Sequence, residues 1–389
     1  MREKLLYEQV YAELKARIRE GRIGVDARLP APADLGTEFS VSAITVKRAL
    51  DMLQAEGYVV RRPKHGTVVI SADPRPEPAA AVRGAPETGV YPPLPARPAR
   101  AEGAPLLGAL ITSFDDTFGT ALLSAMIGAT SGRANLVLKT SVGEEAAEGP
   151  LIEELLAAGI RGLAFQPSSS QSIPPLLMGL LARSFPVVII DRSLDGVPVS
   201  TVCSDNLAGA RAATEYLFEL GHRRLGLITS ASRVSTVEDR RNGYVRAHAG
   251  AGVPHQEADE FHELYSVTPG SRVDASEDLA KLTAFVEARP ELTAYLVSEH
   301  HLAIMLRRVC RDLGRRIPED VSIVCFDQPP AGLDDSPYPF THVAQPQAEL
   351  GARVIEELFA QLAEPGAVTK HVLPTRLVPG SSTAPPPRT

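Results

Sequence analysis

Leu6, Val10, Leu14 and Ile18 recur every four residues among charged neighbours, the stripe of an amphipathic helix over residues 5–20 that Gly21 and Gly24 end. A second short helix is expected over Ala31–Phe39. A third is expected over residues 42–56, where Val46, Ala49, Leu50 and Leu53 follow i, i+3, i+4, i+7 spacing and Ser42 caps the N-terminus. Gly57 stops it. Tyr58–Arg62 and Thr67–Ser71 then read as two short strands around Pro63, Lys64, His65 and Gly66. From Pro105 onward the pattern changes to short, nearly continuous apolar runs: Leu106–Ile111, Leu136–Lys139, Gly162–Phe165, Val187–Ile190, Leu225–Ile228, Ala294–Val297 and Ser322–Phe326. Helical stretches fall between them, among them Gly119–Ser131, Leu207–Leu220 and Leu302–Leu313. Such runs suit parallel strands covered on both faces, and their alternation with helices predicts an α/β region with parallel sheets. The region is long enough for two lobes, with a ligand cleft at the carboxyl ends of the strands.

Between these two patterns no hydrophobic period survives. Nine prolines fall from Pro74 to Pro105, interleaved with alanine, so residues 73–104 cannot bury enough apolar surface to offset their ordering entropy and read as a semi-extended linker. The expected domains are therefore 1–72, the linker 73–104, and 105–389.

Charge sharpens the division. The formal net charge is −7, yet residues 1–72 carry 12 Lys/Arg against 9 Asp/Glu, so the head is +3 and the remainder −10. A positive head on an acidic body fits phosphate-backbone binding at one end only. Cys203, Cys310 and Cys325 have neither disulfide-framework nor zinc spacing. No apolar run reaches the ~20 residues that span a bilayer, and the charged start (Arg2, Glu3, Lys4) is unlike a signal segment. A cytoplasmic protein without a membrane partner is expected.

The order of three helices and a glycine-tipped hairpin is what a winged helix-turn-helix needs to read duplex DNA. Thr45, Lys47 and Arg48 lie off the buried stripe near the N-terminal end of the third helix, the end a recognition helix pushes into the major groove. The competing reading of Lys47, Arg48 and Lys64 is a solvated face, and of His65 a turn residue. Asp191 and Asp327 have a competing reading as braces of crossover loops. His222 reads as structural, a cationic ring closing a helix C-terminus. Glu299, His300 and His301 look like metal ligands, but consecutive residues do not share a helix face, so no metal is expected. No cofactor is expected either, since no Gly-rich phosphate loop follows a strand. No nucleophile elbow and no acid/base pair stands out, so the chain does not read as an enzyme.

Residues from Leu6 to Ile70 resemble the GntR-type winged-helix repressors. The likeness rests on Arg28-Leu29-Pro30, the run Val41-Ser42-Ala43-Ile44-Thr45-Val46-Lys47-Arg48-Ala49-Leu50, Glu56-Gly57 and His65-Gly66-Thr67. It implies DNA contacts from Arg28, Ser42, Ile44, Thr45, Lys47, Arg48, Lys64, His65, Gly66 and Thr67. The family usually has arginines where this chain has Ala33 and Ala43, which puts the usual operator preference in question.

Residues 105–383 are similar to the effector domain of LacI/GalR-type repressors, itself like periplasmic sugar-binding proteins. The blocks are Pro186 to Arg192, Ser204-Asp205-Asn206, Glu219 to Arg224, Asp239 to Tyr244, Ile317 to Ile323 and Phe326-Asp327. A GntR-type head on a LacI-type body resembles the arabinose-operon repressors in architecture. The resemblance implies an α/β multidomain protein, a winged helix-turn-helix followed by a two-lobed periplasmic-binding-protein-like domain. It also implies operator DNA and a sugar-like effector as partners, and a homodimer. Effector contacts are expected from Asp115, Phe118, Gln166, Asp191, Arg192, Arg240, Glu299, His300 and Asp327, with Arg240 and Asp327 on the lobe opposite Asp115 and Gln166. Where the family shows Asn-Asp this chain has Glu299 and His300, and a histidine there is expected to make the response pH-sensitive near neutrality. The alternative is a DNA-binding regulator whose C-terminal domain only dimerises, its ligand lost or changed.

Overall fold

The computed structural model describes residues 6–30, 32–39, 41, 43–62, 66–72, 103–330 and 338–387. The chain falls into two compact units, residues 1–94 and 95–389. Of the expected linker, residues 73–102 lie outside the described residues.

In the first unit, α1 (Leu6–Arg19), α2 (Pro32–Glu38) and α3 (Ala43–Ala55) precede a hairpin of β1 (Val59–Arg62) and β2 (Gly66–Val69). The hairpin pairs antiparallel, Val59 opposite Val69 and Arg62 opposite Gly66. The apolar stripes meet in one core: Val10, Leu14 and Ile18 of α1 pack with Leu35, with Val46, Ala49, Leu50 and Leu53 of α3, and with Val59 and Val69 of the wing. Polar ties fix the helix ends. The Lys15 ammonium lies 2.6 Å from Glu56, beyond the end of α3, and Arg17 lies 2.6 Å from Glu38 in α2.

In the second unit β3 (Leu106–Ile111), α4 (Thr120–Thr130), β4 (Asn135–Thr140), α5 (Glu145–Ala157), β5 (Gly162–Phe165), α6 (Pro175–Leu181), β6 (Val187–Ile190) and β7 (Ser200–Ser204) build a first lobe. The chain crosses over, and α7 (Asn206–Glu219), β8 (Leu225–Ser230), α8 (Ser235–Ala251), β9 (Glu260–Leu264), α9 (Ala275–Glu287), β10 (Ala294–Val297), α10 (His300–Asp312), β11 (Ser322–Phe326) and β12 (Thr341–Ala344) build a second. It returns to the first lobe for α11 (Gln347–Ala363), packed on α4, and for β13 (Lys370–Leu373). A third crossing leads to β14 (Arg376–Val378) in the second lobe.

The two sheets have corresponding orders, β13-β7-β6-β5-β3-β4 and β14-β12-β11-β10-β8-β9. The first is parallel throughout. The second departs from the expectation at one edge, where β14 runs antiparallel to β12. Central strands are buried along their whole length, as continuous apolar runs require. Residues beyond β14 complete the second lobe: Ser382 is fully buried, its carbonyl accepting from Ile323 N–H at 2.8 Å and its hydroxyl from Thr341 N–H at 2.8 Å. His222 lies beneath them, with Nδ1 2.8 Å from Thr293 Oγ1 and Nε2 2.9 Å from Ala384 O. Burial holds its pKa below the ordinary value. His222 is thus structural as a buried ring favouring the neutral form, and the expected cationic cap on a helix end is corrected.

Candidate functional site

Strand ends from both lobes converge on one cavity of about 220 Å³. The first lobe contributes the segment after β3 (Thr112, Phe114, Asp115, Phe118), Gln166 after β5, and Asp191 and Arg192 after β6. The second contributes Ser230 at the end of β8, Glu299 and His300 after β10, Asp327 after β11, and Arg240 from α8. All nine cleft residues expected from the sequence line this cavity, and Arg240 and Asp327 lie on the lobe opposite Asp115 and Gln166. The lining mixes polar and apolar side chains, and several of its polar groups are buried, with Gln166 5 %, Asp191 4 %, Arg240 7 % and Asp327 7 % exposed.

Arg240 is the most constrained group. α8 approaches α7 closely at Gly243, where a Cβ would lie 2.3 Å from the Leu207 carbonyl oxygen. That close approach brings Arg240 Nε to donate to Asn206 Oδ1 at 2.8 Å and Nη1 to the Ser298 carbonyl. The guanidinium lies 3.9 Å over the Phe326 ring. Burial lowers its pKa, and the charges of Asp327, Asp191 and Glu299 oppose that shift. Asp327 is raised to about 6 by burial, against the attraction of Arg240 and a 2.6 Å hydrogen bond from Gln345 Nε2. Glu299 is raised by burial as well.

On the other wall the Arg192 guanidinium pairs with Asp191, and Gln166 Nε2 donates to the same carboxylate at 3.4 Å. Asp115 Oδ1 accepts from the backbone N–H groups of Thr117 and Phe118 at 2.7 and 3.0 Å, and Oδ2 lies 3.7 Å from His301 Nε2 across the cleft. Five buried polar atoms of lining residues find no protein partner among the described residues: Asp191 Oδ1, Arg192 Nε, Thr268 Oγ1, His300 Nδ1 and Gln345 Oε1. Since buried polar groups are ordinarily satisfied, their convergence suits a small polar ligand.

The lobes are closed on each other. Ser170 N–H donates to the Arg233 carbonyl, Ser235 N–H to Ser170 Oγ and Ser193 N–H to Ser235 Oγ, each at 2.9 Å. On the second rim Gly143 abuts Pro269, so that a Cβ on Gly143 would lie 2.0 Å from the Pro269 oxygen.

One expectation changes: His300 is buried and its pKa falls to about 4, so its ring stays neutral through the physiological range; the carboxyl raised toward neutrality is Asp327. Phe118 lines the cavity as expected while packing partly against the first-lobe core, and Phe114, unflagged in the sequence, lines it too and is 47 % exposed. Gln345 was also missed, because Thr341–Ala344 is too short and too polar to announce the strand that delivers it. Asn206 opens α7 directly after Ser204-Asp205, and nothing in the sequence places it beside Arg240.

In the first unit Gly66 and Thr67 open β2, Thr67 facing Arg61. Leu29 N–H donates to Thr67 O at 2.9 Å and Arg28 bridges Val68, which brings Arg28 and Thr67 together beside the wing. Thr45 is half-buried on α3. Ser42, Lys64 and His65, and the side chains of Ile44, Lys47 and Arg48, lie outside the described residues. Among the described residues no helix is long and apolar enough to cross a membrane.

Residues 6–69 match the gntR family of bacterial regulatory proteins, and residues 214–383 the periplasmic binding protein-like domain. An arabinose metabolism transcriptional repressor of Geobacillus stearothermophilus is 27% identical over 378 residues, 95% of each chain. Among solved structures, the transcription regulator CcpA of Lactococcus lactis aligns with a TM-score of 0.62 at 22% identity, covering 72% of this chain and 100% of that one. A LacI family transcriptional regulator from Enterococcus faecium with bound ribose aligns at 0.57 and 23% identity, covering 72% and 99%. The chain is a DNA-binding transcriptional regulator that joins a head matching the gntR family of bacterial regulatory proteins to a body matching the periplasmic binding protein-like domain.

Proposed function

We propose that this regulator is a cytoplasmic repressor, released from its operator when a small, sugar-like molecule occupies the interlobe cavity. The observation that carries this reading is a cavity lined from both lobes to which all nine residues anticipated as effector contacts contribute, several of them with buried polar atoms that lack a partner. At about 220 Å³ the cavity is below the range for drug-sized ligands and suits a monosaccharide. A ligand bridging both walls favours the closed state only through that differential contact. The relatives named for arabinose and ribose operons support the chemical class.

The body forms a homodimer in this reading, because one winged helix reads too few bases and paired heads read two half-sites. Lys47, Arg48 and Lys64 supply phosphate or base contacts, with Arg28, Ser42, Ile44, Thr45, His65, Gly66 and Thr67 around them.

The test is a titration of the full chain with pentoses, hexoses and their derivatives while following fluorescence anisotropy on a duplex selected in vitro. A cognate ligand is expected to change DNA affinity roughly 5- to 150-fold. No shift with any member, in DNA affinity or in thermal stability, would favour a body that only dimerises. His300 in place of the family's aspartate is the observation that keeps that outcome in view.

A further inference from the structure

The charges around the cavity do not cancel. Its described lining holds four carboxylates, Asp115, Asp191, Glu299 and Asp327, against two guanidinium groups, Arg192 and Arg240. The first-lobe pair is matched: Asp191 is bound by Arg192, and Asp115 is occupied by two backbone N–H groups and faces His301. On the second lobe Glu299 and Asp327 share Arg240, which already donates to Asn206 and to the Ser298 carbonyl. Burial raises both of these carboxyls, so each holds its charge there at a cost. Arg240 is thus the one guanidinium this lobe supplies to the cavity for two carboxyls, with Arg192 and His301 acting on Glu299 from beside it.

Among the buried lining atoms without a partner, Asp191 Oδ1 and Gln345 Oε1 can only accept, Arg192 Nε can only donate, and Thr268 Oγ1 and His300 Nδ1 can do either; the four carboxylates make the lining as a whole rich in acceptors. A phosphate ester would bring further negative charge and acceptor oxygens into a cavity already rich in both. A neutral polyol would satisfy the acceptors and leave the charge uncompensated.

We propose that the cleft selects an unphosphorylated effector carrying a cationic amino group, which binds on the second-lobe wall between Glu299 and Asp327. The proposal rests on the effector-cleft reading above and names the class of ligand within it. The amine supplies a second cation on this wall and donates to its two carboxylates, of which Asp327 is held in place by Gln345. Ring hydroxyls reach Asp191 and Arg192, and Phe114 offers an apolar face to the sugar ring.

The test uses the full chain and matched probes: glucose, glucosamine, N-acetylglucosamine and glucose 6-phosphate, with the corresponding galactose and mannose sets. Each is measured by calorimetry and by release of the selected duplex. In the set whose stereochemistry fits, the amine is expected to bind about tenfold more tightly than the parent sugar. Acetylation, which removes the charge, should abolish that gain, and the phosphate ester should bind more weakly than the parent. Glu299→Gln should bring the amine's affinity down to that of the parent sugar. Equal affinity for amine and parent, or tightest binding of the phosphate ester, overturns this inference while leaving the effector-cleft reading intact. Failure of every probe, with no release of DNA, overturns both.

Discussion

Asp191 and Asp327 hold equivalent places in the two lobes. Each directly follows its strand with a left-handed backbone, φ 58° and 60°, and each donates its N–H to the neighbouring strand, at 2.8 Å to Val202 O and 3.0 Å to Val343 O. Both carboxyls line the same cavity. Asp and Asn tolerate this region, but a β-branched side chain does not. Asp191→Asn and Asp327→Asn are therefore expected to fold normally. Valine at either position should lower the unfolding free energy by about 1–3 kcal/mol, seen in urea as an earlier midpoint with an unchanged slope.

Asp327 also sets a pH dependence of unusual sign. Its folded pKa of about 6 lies above the ordinary 3.8, so the folded state binds this proton more tightly than the unfolded chain. The group thus withholds stability above about pH 6, and that stability returns as pH falls toward 3.8. Arg240 opposes the effect, and Asp191 reinforces it. Asp327→Asn should raise stability at pH 7.5 by on the order of 2 kcal/mol and make little difference near pH 4. Equal gains at both pH values would assign the effect to something other than this carboxyl.

Buried histidines act in the opposite direction. Burial lowers the pKa values of His222, His248, His300 and His342. Each contributes stability that is present above the ordinary 6.5 and is lost as pH falls below it, for His300 down to about 4. His222→Asn should cost stability at pH 7.5 through its lost hydrogen bonds, yet flatten the decline between pH 6.5 and 5. A variant with the same slope as the wild type would mean that His222 titrates alike in the folded and unfolded chains.

Closure at the second rim depends on a missing side chain. Gly143→Ala would place a methyl group against the Pro269 backbone at a residue with φ 80°. Gly132 has a similar φ of 71° with nothing within 4 Å of its would-be Cβ, so Gly132→Ala reports the backbone strain alone. Both variants should lose about 1 kcal/mol of stability. Only Gly143→Ala should also weaken ligand binding, by about tenfold or more, with DNA affinity in the absence of ligand unchanged. Equal ligand affinities in the two variants would remove Gly143 from the closure.

Much of this molecule was legible because its apolar runs are unambiguous. β3, β5, β6, β10 and β11 were read to the residue, since strands buried on both faces leave no polar position to blur their ends. The α3 stripe was equally plain. Thr341–Ala344 and Arg376–Val378 were missed because edge and crossover strands are short and half polar. The cleft residues were found from strand ends together with family blocks. Their energetics were not, because burial decides which group titrates: His300 has an ordinary pKa near neutrality and loses it, whereas Asp327 gains one. No spacing rule reveals a neighbour such as Gln345, which arrives from a distant crossing.

The three crossings also have a consequence for biosynthesis. The first lobe lacks β13 until residues 370–373 emerge, and the second lacks β14 and the buried Ser382 until still later. Neither lobe is a continuous stretch of chain, so both must wait in partial form on the ribosome, and the slow, non-local pairings come last. A single cut at one crossing would leave two others tying the lobes together, so a nicked body is expected to stay assembled.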